Sequence, residues 1–346
     1  MSLTMIAVIG FSHAAVLRFA ALGIVVSAVA ATFSLARADN SWPVKHELIG
    51  KDGKKSKDVS GIACTAEHGF PRYCLVIDDN LQEAQFATLK QGKLVAGQPA
   101  KLIDNTFKRK PLELDGEGVA FGGGRYYVIG SHGHPRDKKY KLDPIRDAEE
   151  IRARIRASSQ VVRFRPDEQH SIAVDIERTP RLREIIASDQ VLTPYLDRRL
   201  EDNGLTIEGV AVKDGRLYAG FRGPVLKDTR AAIVSVGIDI LFGGSGTAHQ
   251  LFQLPLDRRG VRDLTTHGDL ILILAGSAKD GAGTYAVYSW DGRTENVKLL
   301  SELPFRSSRK PEALLPLEKR GLELRVLILF DGDKEGSPTP VSIAAP

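Results

Sequence analysis

Leu114-Asp115-Gly116-Glu117-Gly118-Val119-Ala120 is a phrase that this chain repeats. It returns as Thr206-Ile207-Glu208-Gly209-Val210-Ala211, and in weaker form as Asp58-Val59-Ser60-Gly61-Ile62-Ala63, Gly260-Val261-Arg262-Asp263-Leu264 and Lys310-Pro311-Glu312-Ala313-Leu314. A turn and a strand-like run follow each copy: Tyr73 to Ile77, Tyr126 to Ile129, Arg216 to Phe221, Leu270 to Leu274 and Leu324 to Phe330. These runs are rich in Val, Ile, Leu, Tyr and Phe and bounded by Gly and Asp, which is the composition of strands. Five copies of one strand-turn-strand unit predict a repeat fold, and a strand repeat of this size predicts an all-β propeller.

Two further strand candidates follow in most units. They are Val161 to Phe164 with Ile172 to Ile176, Ala231 to Gly237 with His249 to Leu254, and Thr284 to Trp290 with Val297 to Leu300. Four strands make a propeller blade. The copies start near residues 60, 117, 208, 262 and 312, so one spacing is far longer than the rest. The excess reads as helical insertions in the second blade, at about 140–158 and 179–203. Asp143-Pro144 serves as N-cap and first position of one helix, with Ile145, Ala148, Ile151 and Ile155 at helical intervals. Thr179-Pro180 and Thr193-Pro194 start two more, and Asn203-Gly204 stops the last. The count is five blades, with length enough for a sixth at about 45 to 50 residues per blade. Val44 to Ile49 is expected to close the ring by pairing with the last blade, which removes an exposed sheet edge.

The first 38 residues read as a secretory signal peptide, with residues 39–346 as one propeller domain. Arg18 precedes the apolar run Phe19 to Phe33, and Ala36-Arg37-Ala38 is an A-x-A cleavage pattern. An uncleaved membrane anchor is the rival reading, because the lead before Arg18 is also apolar. Cleavage would remove Arg18 and Arg37 and no acid, leaving 46 basic residues against 43 acidic ones. That near balance, without a long basic run, gives nucleic-acid binding no support. No later segment is apolar enough to span a membrane, so no membrane association is expected after cleavage. The expected location is periplasmic or secreted. Cys64 and Cys74 fall on neighbouring strands, and in an oxidising compartment a structural disulfide is the favoured reading.

Topology locates the chemistry. The first strand of a blade lines the channel, so the start of strand one, the end of strand two and the end of strand four share one face. This brings the ligand-binding candidates Glu117, Glu208, Glu312, His132, His134, Arg222 and Arg262 to one mouth, with the insertions as a lid. Asp78, Asp79, Asp331 and Asp333 join them as oxygen donors suited to a hard cation such as calcium. His132 and His134 form an H-x-H pair that is also ordinary for a solvated loop. For the repeated glutamate two readings stay open. Its carboxylate accepts backbone N–H groups of the neighbouring blade, or it faces a ligand. Acidic residues at strand ends are likewise common turn chemistry. No credible nucleophile elbow or phosphate loop appears.

Ser60-Gly61-Ile62-Ala63 with Leu75-Val76-Ile77-Asp78-Asp79, Glu117-Gly118-Val119-Ala120, Glu208-Gly209-Val210-Ala211 and Phe330-Asp331-Gly332-Asp333 together resemble the bacterial domain-of-unknown-function family 3616. The likeness covers about residues 58–335 and implies a fold more than a chemistry. A looser similarity runs to phytase-like esterase propellers and to SdiA-regulated proteins. Ser60, Arg262-Asp263 and Ala313 break the phrase in three copies, so a ring of catalytic residues does not carry over from it.

The expected function is binding of a small polar ligand or a cation at the lidded mouth. The alternatives are a calcium-type, metal-assisted phosphoester or ester hydrolase, and a periplasmic scaffold that docks a protein partner.

Overall fold

In the computed structural model, which describes residues 36–136, 142–279, 281, 283–305 and 309–346, the chain forms five sheets that make a five-bladed propeller. Blade 1 runs through Val59–Cys64, Arg72–Asp78, Glu83–Lys90 and Lys93–Lys101. Blade 2 is Gly116–Gly122, Arg125–Gly130, Val161–Pro166 and Ala173–Thr179. Blade 3 is Thr206–Lys213, Arg216–Gly223, Ala231–Gly237 and His249–Leu254. Blade 4 is Arg259–His267, Leu270–Ser277, Ala286–Trp290 and Val297–Glu302. Blade 5 has Lys310–Arg320, Glu323–Asp331 and Thr339–Ala344, and takes Arg37–Ala38 as its fourth strand. No sixth blade occurs among the described residues.

The ring closes differently from the sequence expectation. Arg37–Ala38 pairs antiparallel with the last strand, Arg37 opposite Ser342, and the Asp39 and Trp42 N–H groups donate to Pro340 and Pro338 carbonyls. Val44–Lys45 instead adds a parallel strand to the outer edge of blade 1, with Val44 opposite Leu94. The N-terminal segment therefore covers two outer edges, one on each side of the closure, and only its first part pairs with the last blade. Cys64 lies opposite Cys74 in blade 1, and the two form a disulfide.

Each seam between neighbouring blades holds its own apolar cluster. The seam of blades 3 and 4 packs Phe252 edge-on against Trp290, with ring centroids 4.9 Å apart. Strands sandwiched between two blades are buried on both faces, which is why Ala231–Gly237 is buried throughout and apolar except at Ser235, not alternating.

The repeated phrase sets the inner ring. In every blade the strand pairing skips a residue near the start of the inner strand: Ser60, Glu117, Glu208, Arg262 and Glu312 have no opposite partner, while the residues on either side do. Such a bulge re-aims the extra side chain. The residue after it must let the next blade come close. A Cβ on Gly118 would lie 3.1 Å from Val210 N, and one on Gly209 would lie 2.9 Å from the Asp263 carbonyl carbon and Leu264 N.

The insertions form with altered bounds. The first helix is Ala148–Ser158, not one starting at Asp143. Asp143 caps a preceding turn by accepting Ile145 and Arg146 N–H on Oδ1, and this leaves Ile145 90 % exposed, off the helix's buried face. The second helix is Arg181–Ser188, started by Thr179 Oγ1 accepting Arg181 N–H. The third expected helix is two short 3-10 turns, Thr193–Tyr195 and Leu200–Asp202, the latter ended by Asn203 in the left-handed region at φ 59°. Residues 140–141 of the first insertion and nearly all of the expected signal peptide lie outside the described residues. Among the described residues no helix is long and apolar enough to cross a membrane.

Gly209→Ala is expected to cost about 1–3 kcal/mol, because the methyl meets the Asp263 and Leu264 backbone at 2.9 Å as well as Leu264 Cγ at 3.0 Å. Chemical denaturation checks this, and an unchanged midpoint would show that the inner strands yield freely.

Candidate functional site

The five bulged residues Ser60, Glu117, Glu208, Arg262 and Glu312 all line one cavity of about 500 Å³ at the mouth of the channel. All five are buried. The ends of the second strands add Asp79, Arg222 and Asp331 to the wall, and the segments leading into the inner strands add Asp58, Asp115 and Lys310. Pro135, Arg136, Arg154 and Ser158 come from the first insertion and its approach.

The wall has two unlike halves. On blades 3 to 5 the charges pair off. Arg222 Nη1 donates to Glu208 Oε1 at 3.0 Å, Arg262 Nε lies 3.0 Å from Glu208 Oε2 and donates to Glu312 Oε2 at 2.7 Å. Two arginines thus serve two glutamates across three blades. Lys310 meets Asp331 at 2.7 Å on the rim of the same side.

On blades 1 and 2 carboxylates crowd. The oxygens of Asp79, Asp115 and Glu117 lie within 4.8 Å of one another, and so do those of Asp58, Asp78 and Asp79. Glu117 Oε1 is buried with no hydrogen-bond partner among the described residues. Burial pushes the Glu117 carboxyl well above its usual range, the negative Asp115, Glu208 and Asp79 add to this, and Arg136 opposes it. Asp79 is raised well above its usual range by burial first and then by Asp115, Asp58 and Asp78. Asp115 is raised by burial, against a hydrogen bond from Ser131. Asp78 is pushed up to about 6 by burial, although the Ser56 hydroxyl and Asn80 N–H both donate to it.

Among the described residues the repeated glutamates accept no backbone N–H of the next blade. Asp263 does. It stands where the phrase has glycine, and its buried carboxylate accepts Leu314 N–H of blade 5 on Oδ2 at 2.7 Å and Leu264 N–H on Oδ1 at 2.8 Å. The architectural role exists, one residue along from where it was sought.

Of the other expected site residues, His132 and His134 do not line the cavity. His132 is buried with Nδ1 2.9 Å from Gly130 O, and burial pushes its pKa down to about 4, so it is neutral at neutral pH. His134 Nδ1 lies 3.0 Å from Pro135 O. Asp333 pairs with Arg309 at 2.8 Å outside the cavity, and Asp78 also lies off its wall. Sequence reasoning missed Asp58, Asp115, Arg136 and Arg154. The first two were legible, since each stands two residues before a bulged position inside the repeated phrase. Arg154 pairs with Glu150 at 2.7 Å and reaches the wall from the first inserted helix. Among the described residues the first insertion contributes to the wall and the second does not. The second packs Leu182, Ile185 and Ile186 with Ile207 and Phe221 in the seam of blades 2 and 3.

Fold and site together define a five-bladed propeller with a charged cavity at one mouth of its channel. The chain matches, over residues 79–339, the family described as protein of unknown function (DUF3616), and belongs to it. No curated protein matches its sequence. Among solved structures it is similar to an exo-β-1,3-galactanase from Phanerochaete chrysosporium, at 9 % identity and a TM-score of 0.45, over 88 % of this chain and 64 % of that one. The chain thus spans slightly less than two thirds of the galactanase. An α-L-arabinofuranosidase from Podospora anserina shares 8 % identity at a TM-score of 0.43, over 88 % and 98 % of the two chains. A family 117 glycoside hydrolase from Zobellia galactanivorans shares 10 % at 0.42, over 90 % of each. At these values the activities belong to those proteins alone.

The two central glutamates are expected to respond oppositely to neutralisation. Glu208→Gln leaves buried arginine charge uncompensated and is expected to cost about 3–5 kcal/mol. Glu117→Gln removes a crowded buried charge and is expected to leave the melting temperature unchanged or higher. Equal losses in thermal denaturation would contradict the division into halves.

Proposed function

We propose that this protein is a ligand-binding propeller of the periplasm or the secreted fraction, and that its central cavity takes a small polar ligand. The observation that carries this is the inequality of the five bulged positions. A ring built only for architecture would repeat one residue, whereas this one presents Ser60, Glu117, Glu208, Arg262 and Glu312 to a common space. The space of about 500 Å³ matches small-molecule sites of roughly 300–1,000 Å³. Its polar wall favours a ligand rich in hydrogen-bonding groups over an apolar one. Metal-assisted hydrolysis of an ester or phosphoester is the second reading, supported by the crowded carboxylates of blades 1 and 2. Export is supported by the Ala36-Arg37-Ala38 pattern and the Cys64–Cys74 disulfide; cleavage after Ala38 would remove the two-residue edge strand Arg37–Ala38 and leave the Asp39 and Trp42 N–H bonds to the Pro340 and Pro338 carbonyls to hold the closure.

A thermal-shift screen of sugars, carboxylic acids and phosphorylated compounds tests the binding reading. A true ligand raises the melting temperature, by about 2.7 kcal/mol of stability at a hundredfold excess over Kd. The shift is expected to fall away in Arg136→Gln and Arg154→Ala, both on the wall. No active compound, or a shift that survives both substitutions, overturns the reading. Mass spectrometry of the protein from the cell envelope checks export: a chain beginning at Asp39 agrees with it, and one beginning at Met1 contradicts it.

A further inference from the structure

The charges around the cavity do not balance evenly. Glu208 and Glu312 are matched by Arg222 and Arg262, and Asp331 by Lys310. Asp79, Asp115 and Glu117 line the same cavity beside Lys51, Asp58 and Glu113, and one carboxylate oxygen of each of the three lies within 4.8 Å of the others. Arg136 acts on Asp115 and Glu117, and Lys51, also on the wall, acts on Asp79. Over the described lining eight carboxylates stand against six basic side chains, a formal excess of two negative charges. A second observation points the same way. Glu117 is 6 % exposed, lines the cavity, and keeps Oε1 without a hydrogen-bond partner among the described residues. A buried carboxylate oxygen left unsatisfied costs free energy unless something occupies it.

We infer that Asp79, Asp115 and Glu117 bind one hard divalent cation on the wall of the cavity, of the calcium, magnesium or manganese class. The donor set is all oxygen, with no sulfur or imidazole, which selects hard ions over zinc or copper. Asp79 comes from the end of the second strand of blade 1, while Asp115 and Glu117 flank the start of the inner strand of blade 2, so the ion ties two blades together. Three protein carboxylates leave coordination positions open, and these face the cavity, where an oxygen-bearing ligand completes them. This deepens the ligand-binding reading and rests on the cavity being the site. It also differs from the sequence expectation. Asp79 alone is shared with the four aspartates first considered, and Asp331 and Asp333 are held instead by Lys310 and Arg309.

The test titrates chelator-treated protein with calcium, magnesium and manganese chloride separately, by calorimetry and by thermal shift. One ion per chain is expected, with at least tenfold weaker binding in Glu117→Gln and in Asp115→Asn. Asp333→Asn, outside the cavity, is expected to bind as the parent does. Circular dichroism establishes that each variant is folded, and the two variants on different residues guard against loss of one. No binding of any of the three ions by either readout overturns the inference, as does binding that both variants retain. A small molecule that still shifts the chelated protein, when no ion binds, overturns the inference and leaves the binding reading standing. Ion binding with no small-molecule shift supports the inference and removes the binding reading.

Discussion

The close approach of the five inner strands is the constraint on which the rest depends. Gly118 and Gly209 sit against the backbone of the next blade, where an added Cβ would lie 3.1 and 2.9 Å from it. Where blade 4 carries Asp263 in that register, the carboxylate takes up the space and bonds the backbone of blade 5 through Leu314. At the start of each inner strand one residue has no place in the pairing. That residue is bulged out, and its side chain has nowhere to go but the channel. The site is thus a by-product of how the ring closes, and its chemistry is free to differ from blade to blade.

That freedom is used unevenly. Blades 3 to 5 carry a buried ion-pair chain from Arg222 through Glu208 and Arg262 to Glu312. Buried pairs of this kind add little net stability against apolar replacements, but breaking one is costly. They make that half of the wall rigid and electrically quiet. Blades 1 and 2 concentrate carboxylates whose proton affinity is raised by burial and by each other. Perturbed groups gathered on the wall of a cavity are where binding and catalysis are usually found. The contrast between the halves, more than the cavity itself, gives the site a direction.

Much of the fold was legible because a propeller repeats. The phrase around Glu117 and Glu208 marked the inner strands, and the second strands fell close to the residues expected. What escaped was whatever depends on partners remote in sequence. Arg37–Ala38 closes the ring by pairing with a strand more than three hundred residues away, and no local pattern in those two residues signals it. Asp143 capped a turn instead of the helix, because a cap residue serves either equally well. In the site, spacing placed Glu117, Glu208, Arg262 and Glu312 on one wall, but it could not say which would be neutralised by a neighbour. That depends on side chains from three blades meeting at the axis. His132 and His134 lie near the right strand end, yet His132 turns into the protein, where burial keeps it neutral.

The central claim is that the bulged ring delivers an unbalanced carboxylate pocket that a ligand completes. A crystal structure of the protein grown with manganese, with anomalous difference density, tests it most directly. The account predicts one anomalous peak among the Asp79, Asp115 and Glu117 oxygens, at the roughly 2.0–2.6 Å spacing of hard-cation coordination. A pocket with no peak, with Glu117 instead paired to a protein group, would contradict it.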